Sequence, residues 1–214
     1  MQIKKPAAIH SRPGLPVIGP RVIAVGVLLI WLPLITVAQS TVRWTTNYYP
    51  VTGATVGEIY QSMSRNRPWK EKSTHDGLTD WRIQWRYQIT SSPGECRLAA
   101  FTTTTTITIT LPRWVRPTNA LPEATTNWSR YITALGHHEA GHAQHGLAAV
   151  AEQHRRISQL GPDPNCDALK KRINDLAQQI VDDYGRRDRE YDARTEHGAK
   201  QGASLGGGFH RRNH

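Results

Sequence analysis

The sequence predicts an α+β fold in which an antiparallel sheet packs on two long antiparallel helices. Strand-like segments occupy the first half of the chain and helix-like segments the second half. The segment Trp81–Ile89 alternates apolar and polar residues without a fault, which indicates a strand with one buried face. Two later segments, one at about 125–159 and one that begins near Asn165, carry apolar residues at helical spacing. The short loop between them favours antiparallel packing.

Residues 1–38 have the layout of a secretory signal. Four basic residues precede an uncharged apolar run, Val22–Ala38, and Thr36-Val37-Ala38 offers small residues for cleavage before Gln39. The run has 17 residues, which is at the short edge for a membrane span. An uncleaved signal anchor in the inner membrane is therefore the alternative. In both cases we expect the rest of the chain to be periplasmic or secreted.

The exported part is expected to contain one domain, residues 39–201, followed by a mobile Gly-rich basic tail, residues 202–214. Loss of the first 38 residues lowers the net charge from +10 to +6. A modest positive excess suits anionic surfaces of the cell envelope. Nucleic acid is not an expected partner, because Lys and Arg are scattered rather than gathered with aromatic residues on one element.

Three strands and one short helix are predicted before the long helices. The strands are at residues 41–51, 81–89 and 98–111. The turn Ser91–Glu95 predicts that the second and third strands form a hairpin. A short helix over Thr55–Met63 is predicted because Thr55 and Glu58 have the spacing of a capping box.

The two long helices have clear boundaries in the sequence. No proline occurs between Glu123 and Gly161, and Gly161-Pro162-Asp163-Pro164 ends the first helix. Gly198 suits the end of the second. The apolar stripe of the second helix consists of Leu169, Ile173, Leu176, Ile180, Tyr184 and Tyr191.

The chain has two cysteines, Cys96 and Cys166. In an oxidising compartment a disulfide between them is the default expectation. Two unpaired thiols are the alternative. Metal binding by the cysteines is less favoured, because neither has a second cysteine nearby.

The segment His138-Glu139-Ala140-Gly141-His142 has the H-E-x-x-H pattern of zinc peptidases. On a helix, residues i and i+4 lie on one face, so both imidazoles can bind one zinc ion. Glu139 then lies beside the metal and can take a proton from bound water. These features predict a zincin-like arrangement. The alternative is a surface helix that is rich in histidine by chance.

The chain resembles a bacterial family described as predicted secreted zinc-dependent proteases, formerly a domain of unknown function. The resemblance covers most of residues 45–203 and implies protease activity with a zinc cofactor. Besides the H-E-x-x-H helix, the matching stretches are Tyr48–Gly53, Thr79–Tyr87, Cys96–Leu98, Leu111–Trp114, Cys166 and Tyr191–Gly198.

The third zinc ligand is not given by the motif. A catalytic zinc needs three protein ligands and one open position. The metzincin pattern places the third ligand where this chain has Ala148. His145 lies on the same straight helix, and three histidines there would spread over about 10 Å, so we expect a supporting or surface role for it. His137 is expected to be structural or exposed.

The last helix is expected to supply the third ligand. His197, beside Gly198, is the first choice, Asp192 is its rival and Glu190 is third. Otherwise His197 would interact with the helix dipole, and Asp192 would orient a ligating histidine. Two tyrosines of the apolar stripe are candidate oxyanion donors or core residues: Tyr184 and Tyr191.

Two functional hypotheses follow. In the first, the protein is an exported metallopeptidase with zinc on His138, His142 and His197, and Glu139 is the general base. A peptide or protein substrate of the cell envelope would lie extended along the edge of the sheet. In the second, the protein is a non-catalytic envelope module. A fourth protein ligand, such as Asp192 or Glu190, would then close a structural zinc site.

Overall fold

The structure, a computed structural model, describes residues 40–69 and 75–206. The targeting segment predicted at residues 1–38 and residues 207–214 of the predicted tail lie outside the described residues. No helix in the described part of the chain is both long and apolar enough to span a bilayer. The elements in chain order are β1 (Ser40–Val51), α1 (Val56–Asn66), β2 (Leu78–Ser92), β3 (Glu95–Trp114), α2 (Pro122–Ile157), α3 (Cys166–Thr195) and a 3-10 turn (Ala199–Gln201).

The sheet has the strand order β1-β3-β2 and is mixed. The predicted hairpin is confirmed: β2 and β3 are antiparallel, with Trp81 opposite Ile107. The prediction of an antiparallel sheet is wrong for β1, which runs parallel to β3 with Trp44 beside Ile107. The tight turn between β2 and β3 requires opposite directions. The chain between β1 and β3 contains α1 and β2, so this connection imposes no such requirement.

Helix α1 begins with the predicted capping box. The Glu58 backbone N–H donates to Thr55 Oγ1 at 3.2 Å, and the Thr55 N–H donates to a Glu58 carboxylate oxygen at 3.2 Å. Two orphan donors at the helix start are thereby satisfied. The helix then buries Ile59 and Met63 against a cluster that includes Tyr131 of α2. This packing fixes the first half of α2 against β1 and α1.

Helices α2 and α3 are antiparallel, as predicted. The Gln153 side-chain amide donates to the Ala177 carbonyl at 3.0 Å, whereas His142, three turns earlier on α2, contacts Asp188, which lies later on α3. The sheet covers one side of α2, where Ala143 packs in one cluster with residues of β3. Helix α3 ends at Thr195, before the predicted stop at Gly198, because Glu196 adopts a left-handed conformation.

The predicted disulfide is present between Cys96 and Cys166. It joins the start of β3 to the start of α3. A backbone bridge supports it: the Cys96 N–H donates to the Asp163 carbonyl at 2.7 Å, and the reverse bond measures 3.0 Å. The surrounding cluster is apolar and includes Ile157 and Leu169. This end of the helix pair is therefore fixed by a covalent bond and a hydrophobic core.

Candidate metal centre

Helix α2 places His138 and His142 on one buried face, as their i, i+4 spacing predicts. The two residues are 2% and 7% exposed, and their Nε2 atoms are 3.3 Å apart. Asp192 of α3 lies opposite, with Oδ1 at 3.1 Å from each Nε2 atom. We refer to His138, His142 and Asp192 as the triad.

The remaining ring nitrogens of the triad also have partners. His138 Nδ1 lies 2.9 Å from Gln201 Oε1, and His142 Nδ1 lies 3.1 Å from Asp188 Oδ1. Both partner atoms accept hydrogen bonds, which favours hydrogens on the two Nδ1 atoms. The Nε2 atoms then present lone pairs, and these converge with a carboxylate oxygen. Three acceptors facing one another need a cation between them, so the triad could hold a metal ion.

The distances within the triad fit this interpretation. Ligand atoms at about 2.0–2.1 Å from a tetrahedral zinc ion lie about 3.3–3.4 Å from one another. The three distances here are 3.1, 3.1 and 3.3 Å. These atoms therefore form one face of a slightly compressed tetrahedron, and the donor set of two imidazoles and a carboxylate is one that zinc accepts.

The charges in the triad shift the pKa values of His142 and Asp192. Burial lowers the pKa of His142, but hydrogen bonds to Asp188 and Asp192 outweigh burial and raise the pKa to about 10. Burial raises the pKa of Asp192, but hydrogen bonds with His138 and His142 outweigh it and hold this pKa well below its usual value. The two shifts have one origin: in the metal-free site, protonated His142 and ionised Asp192 stabilise each other.

Glu139 lies beside the triad and is 2% exposed. Thr79 of β2 places its hydroxyl 2.7 Å from Oε2 of Glu139 and 3.0 Å from the Glu139 carbonyl oxygen. Burial raises the pKa of Glu139, although the Thr79 hydrogen bond and the charges of His142 and His138 oppose the rise. The Glu139 carboxylate is therefore held in place and takes up a proton more readily than an exposed glutamate.

Two glycines make room for this arrangement. A Cβ at Gly141 would lie 2.5 Å from the hydroxyl oxygen of Tyr191, and the Tyr191 ring stacks on His138 with ring centroids 4.9 Å apart. A Cβ at Gly77 would lie 2.9 Å from Cδ of Glu139. Gly141, inside the motif, costs the helix about 1 kcal/mol relative to Ala. The close approach of Tyr191 is the structural reason for this glycine.

The two tyrosines predicted as oxyanion donors occupy different surroundings. The hydroxyl of Tyr191 exchanges hydrogen bonds of 3.0 and 3.2 Å with the side chain of Gln201, so it is already engaged. Tyr184 contacts the guanidinium of Arg187, whose Cζ is 4.3 Å from the ring centroid. Tyr191 therefore supports His138, whereas Tyr184 packs against Arg187.

The other predicted candidates lie at different distances from the triad. His197 places Nδ1 3.3 Å from Asp192 Oδ1, and its side chain is 41% exposed. It is not one of the three ligand atoms that converge, so its role as a ligand stays a prediction. Glu190 is 60% exposed and pairs with Arg186 at 3.8 Å. His137 is exposed, as expected. His145 contacts Asp188 at 2.5 Å, next to the triad.

The sequence interpretation missed Asp188, Thr79 and Gln201. Asp188 had a signal: Asp188 and Asp192 have the same i, i+4 spacing as His138 and His142. On antiparallel helices two such pairs can face each other, with Asp192 opposite His138 and Asp188 opposite His142. Thr79 and Gln201 had no comparable signal, because they reach the site from β2 and from the 3-10 turn.

A cavity of about 450 Å³ lies beside the triad, between the start of β2 and helix α3. Its lining includes Thr79, Trp81, Asp182, Asp188 and Arg189. The cavity thus reaches Thr79, which holds Glu139, but it does not include the triad itself. It extends along the edge of β2, which among the described residues pairs with β3 alone.

The fold and the site define an α+β protein with a buried His-His-Asp centre that could hold a metal ion. The chain belongs to a family of bacterial proteins of unknown function, DUF922, whose profile matches residues 46–198. The match includes both long helices and every residue of the triad. Neither the curated proteins nor the solved structures include a significant match to the chain.

Proposed function

We propose that this chain is a zinc-dependent peptidase with a zincin-like site, exported to the cell envelope. The observation that carries the proposal is the buried triad with a carboxylate held beside it. A hydrophobic core has no need of two imidazole nitrogens and two carboxylates, and their burial is costly without a cation. A peptidase that activates water needs this combination.

We propose His138, His142 and Asp192 as the zinc ligands. Asp192 is favoured over His197 because its Oδ1 is 3.1 Å from both Nε2 atoms. Zinc bound there would polarise a peptide carbonyl and lower the pKa of a bound water. Three protein ligands leave one coordination position open for water or substrate, as in catalytic zinc sites.

In this proposal Glu139 is the general base. It takes a proton from the attacking water and passes it to the amine that leaves. The raised pKa of Glu139, caused mainly by burial, makes the carboxylate a better proton acceptor. The Thr79 hydroxyl at 2.7 Å from Oε2 fixes the orientation of the side chain, so that the proton moves over a defined path.

A peptide substrate is proposed to lie extended along the outer edge of β2, which pairs only with β3 among the described residues and so can offer backbone groups to a peptide. The cavity between β2 and α3 would take one of its side chains. Two features support an envelope location: the apolar run Val22–Ala38 and the disulfide, which is typical of oxidising compartments.

The second candidate function is a non-catalytic envelope module with a structural zinc. One observation favours it: His197 lies 3.3 Å from Asp192 Oδ1, so it could add a fourth ligand and close the site. The number of protein ligands separates the two functions. X-ray absorption of the zinc-loaded protein should show three protein ligands and one water for the enzyme, and four protein ligands for the structural site.

The enzyme proposal is tested by Glu139→Gln, which preserves size and removes the base. Zinc content should stay at one per chain, while hydrolysis of a mixed peptide library should fall at least about a hundredfold. Glu123→Gln is the matched control, because Glu123 is an exposed residue of the same helix, and it should retain full activity. Equal cleavage by wild type and Glu139→Gln would overturn the mechanism.

A further inference from the structure

Asp188 lies at the centre of a second polar cluster, directly behind His142. Its Oδ1 is 3.1 Å from His142 Nδ1 and 2.5 Å from His145 Nδ1. Its Oδ2 accepts the Trp81 indole N–H at 2.5 Å. Three side chains, two from α2 and one from β2, thus hold a single half-buried carboxylate of α3.

Two interpretations of this cluster are available, since His142, His145 and Asp188 are also close enough to hold an ion. Ligands of one tetrahedral ion lie about 3.3–3.4 Å apart. The 2.5 Å contact between His145 and Asp188 is much too short for two ligands of one ion, whereas a hydrogen bond brings its two heavy atoms close together. A second ion would also require His142 to bind metals through both ring nitrogens. The distances therefore favour hydrogen bonds.

We infer that Asp188 is a positioning residue, which fixes the His142 ring so that Nε2 faces the metal of the triad. This inference rests on the proposed metal site. The Asp188 carboxylate accepts the Nδ1 hydrogen of His142, which leaves the Nε2 lone pair free for the metal. His145 and Trp81 hold Asp188 in turn.

The packing of β2 against α2 allows Trp81 to reach Asp188. A Cβ at Gly146 would lie 2.8 Å from Cγ of Trp81, so the glycine lets the indole lie directly against α2. From there the indole N–H reaches Asp188 across the helix pair. Strand β2 therefore makes two contacts with the site. Thr79 holds Glu139, and Trp81 holds Asp188, which in turn contacts His142.

The test compares Asp188→Asn with Asp182→Asn in the full chain. Asp182 lies on the same helix, lines the same cavity and is exposed, so the control removes the same charge without the histidine contact. Asp188→Asn should weaken zinc binding by about 10- to 100-fold and shift the visible band of the cobalt-loaded protein. Asp182→Asn should do neither. Near-ultraviolet circular dichroism of the metal-free proteins checks that each variant is folded.

Wild-type protein provides a measurement that does not depend on a variant. Long-range ¹H–¹⁵N spectra of the zinc-loaded chain should show His142 protonated at Nδ1 and bound to metal through Nε2. Equal zinc affinity of the two variants, or two zinc ions per chain, would each overturn the inference while leaving the triad proposal intact. The opposite tautomer of His142, or failure of wild type to bind zinc, would overturn both the inference and the triad proposal.

Discussion

The two ends of the α2–α3 pair are held together by different means. At one end, Cys166 is bonded to Cys96 and the surrounding residues, such as Ile157 and Leu169, are apolar. At the other end the helices meet through His138, His142 and Asp192, all polar and largely buried. The contacts at the first end are all supplied by the chain itself and need no bound ion. The second end concentrates negative charge and lone pairs, so its stability depends on a cation or a proton.

This difference separates the contacts that stabilise the fold from the proposed metal site along one pair of helices. At the first end the disulfide ties α3 to β3, and the apolar cluster packs Ile157 of α2 against Leu169 of α3, whether or not a metal is present. The triad end can then keep its ligands at metal-binding distance, even though the bare site is unfavourable. Removal of the disulfide should therefore leave metal binding largely unchanged, and removal of a metal ligand should leave the disulfide end intact.

The largest expected effect comes from removal of the disulfide. The bridge closes a loop with a sequence separation of 70 residues. A disulfide that closes a loop of this length restricts the unfolded chain and so stabilises the fold by about 4 kcal/mol. Cys96→Ala combined with Cys166→Ala should lower the free energy of unfolding by about this amount. Urea unfolding, monitored by circular dichroism, measures the change.

The comparison also requires that zinc binding survive in this double variant under native conditions. Its zinc affinity should stay within about threefold of wild type, because the triad lies far along the helices. His138→Ala is the reciprocal control, since it should lose zinc and keep the disulfide. A double variant that folds but binds no zinc would show that the two ends are coupled.

The sequence could predict those elements whose signal is local. The alternation of residues 81–89, the capping box of Thr55 and Glu58, and the histidine pair of the motif all depend on spacing within one segment, and the structure has each of them. The disulfide followed from the count of two cysteines. The direction of β1 could not be predicted, because a strand pattern does not specify its neighbour.

The identity of the third ligand could not be predicted from the sequence. His197 and Asp192 are five residues apart, and the choice between them depends on where α3 stops. The helix ends at Thr195, and His197 follows in a left-handed conformation with φ of 52°. Asp192 is still within the helix and faces α2. A shift of the helix end by one turn, which the sequence does not determine, would change which side chain faces the histidines.

The second largest effect is stabilisation by zinc. Zinc at 100 times its dissociation constant should raise the free energy of unfolding by about 2.7 kcal/mol. The gain should increase from pH 7 to pH 9. The pKa of His142 is raised from its ordinary value of 6.5 to about 10, so protonated His142 stabilises the metal-free fold. This contribution is complete below pH 6.5 and is lost progressively as pH rises from there through 10. Zinc binds only the neutral ring, so the apparent zinc affinity rises between the same two pH values.

Thermal unfolding with zinc and with a chelator, at pH 7 and pH 9, measures this gain. His142→Ala is the control, and both the gain and its pH dependence should disappear in it. A gain that is equal at the two pH values would show that no proton is displaced from His142. That outcome would contradict the convergence of acceptors on which the metal site is based.

The smallest effect compares two glycines of α2 that are five residues apart. Nothing lies within 4 Å of a Cβ at Gly136, whereas a Cβ at Gly141 would meet the Tyr191 hydroxyl at 2.5 Å. Gly136→Ala should therefore stabilise the protein by about 1 kcal/mol, the gain in helix propensity. Gly141→Ala has the same propensity gain but forces Tyr191 from its place on His138, and such overpacking costs about 1–3 kcal/mol. Its net effect should be a loss of about 1 kcal/mol, with weaker zinc binding, measured by urea unfolding and chelator competition. If both variants are stabilised and bind zinc like wild type, then the triad end is loosely packed, and the proposed support of His138 by Tyr191 is wrong.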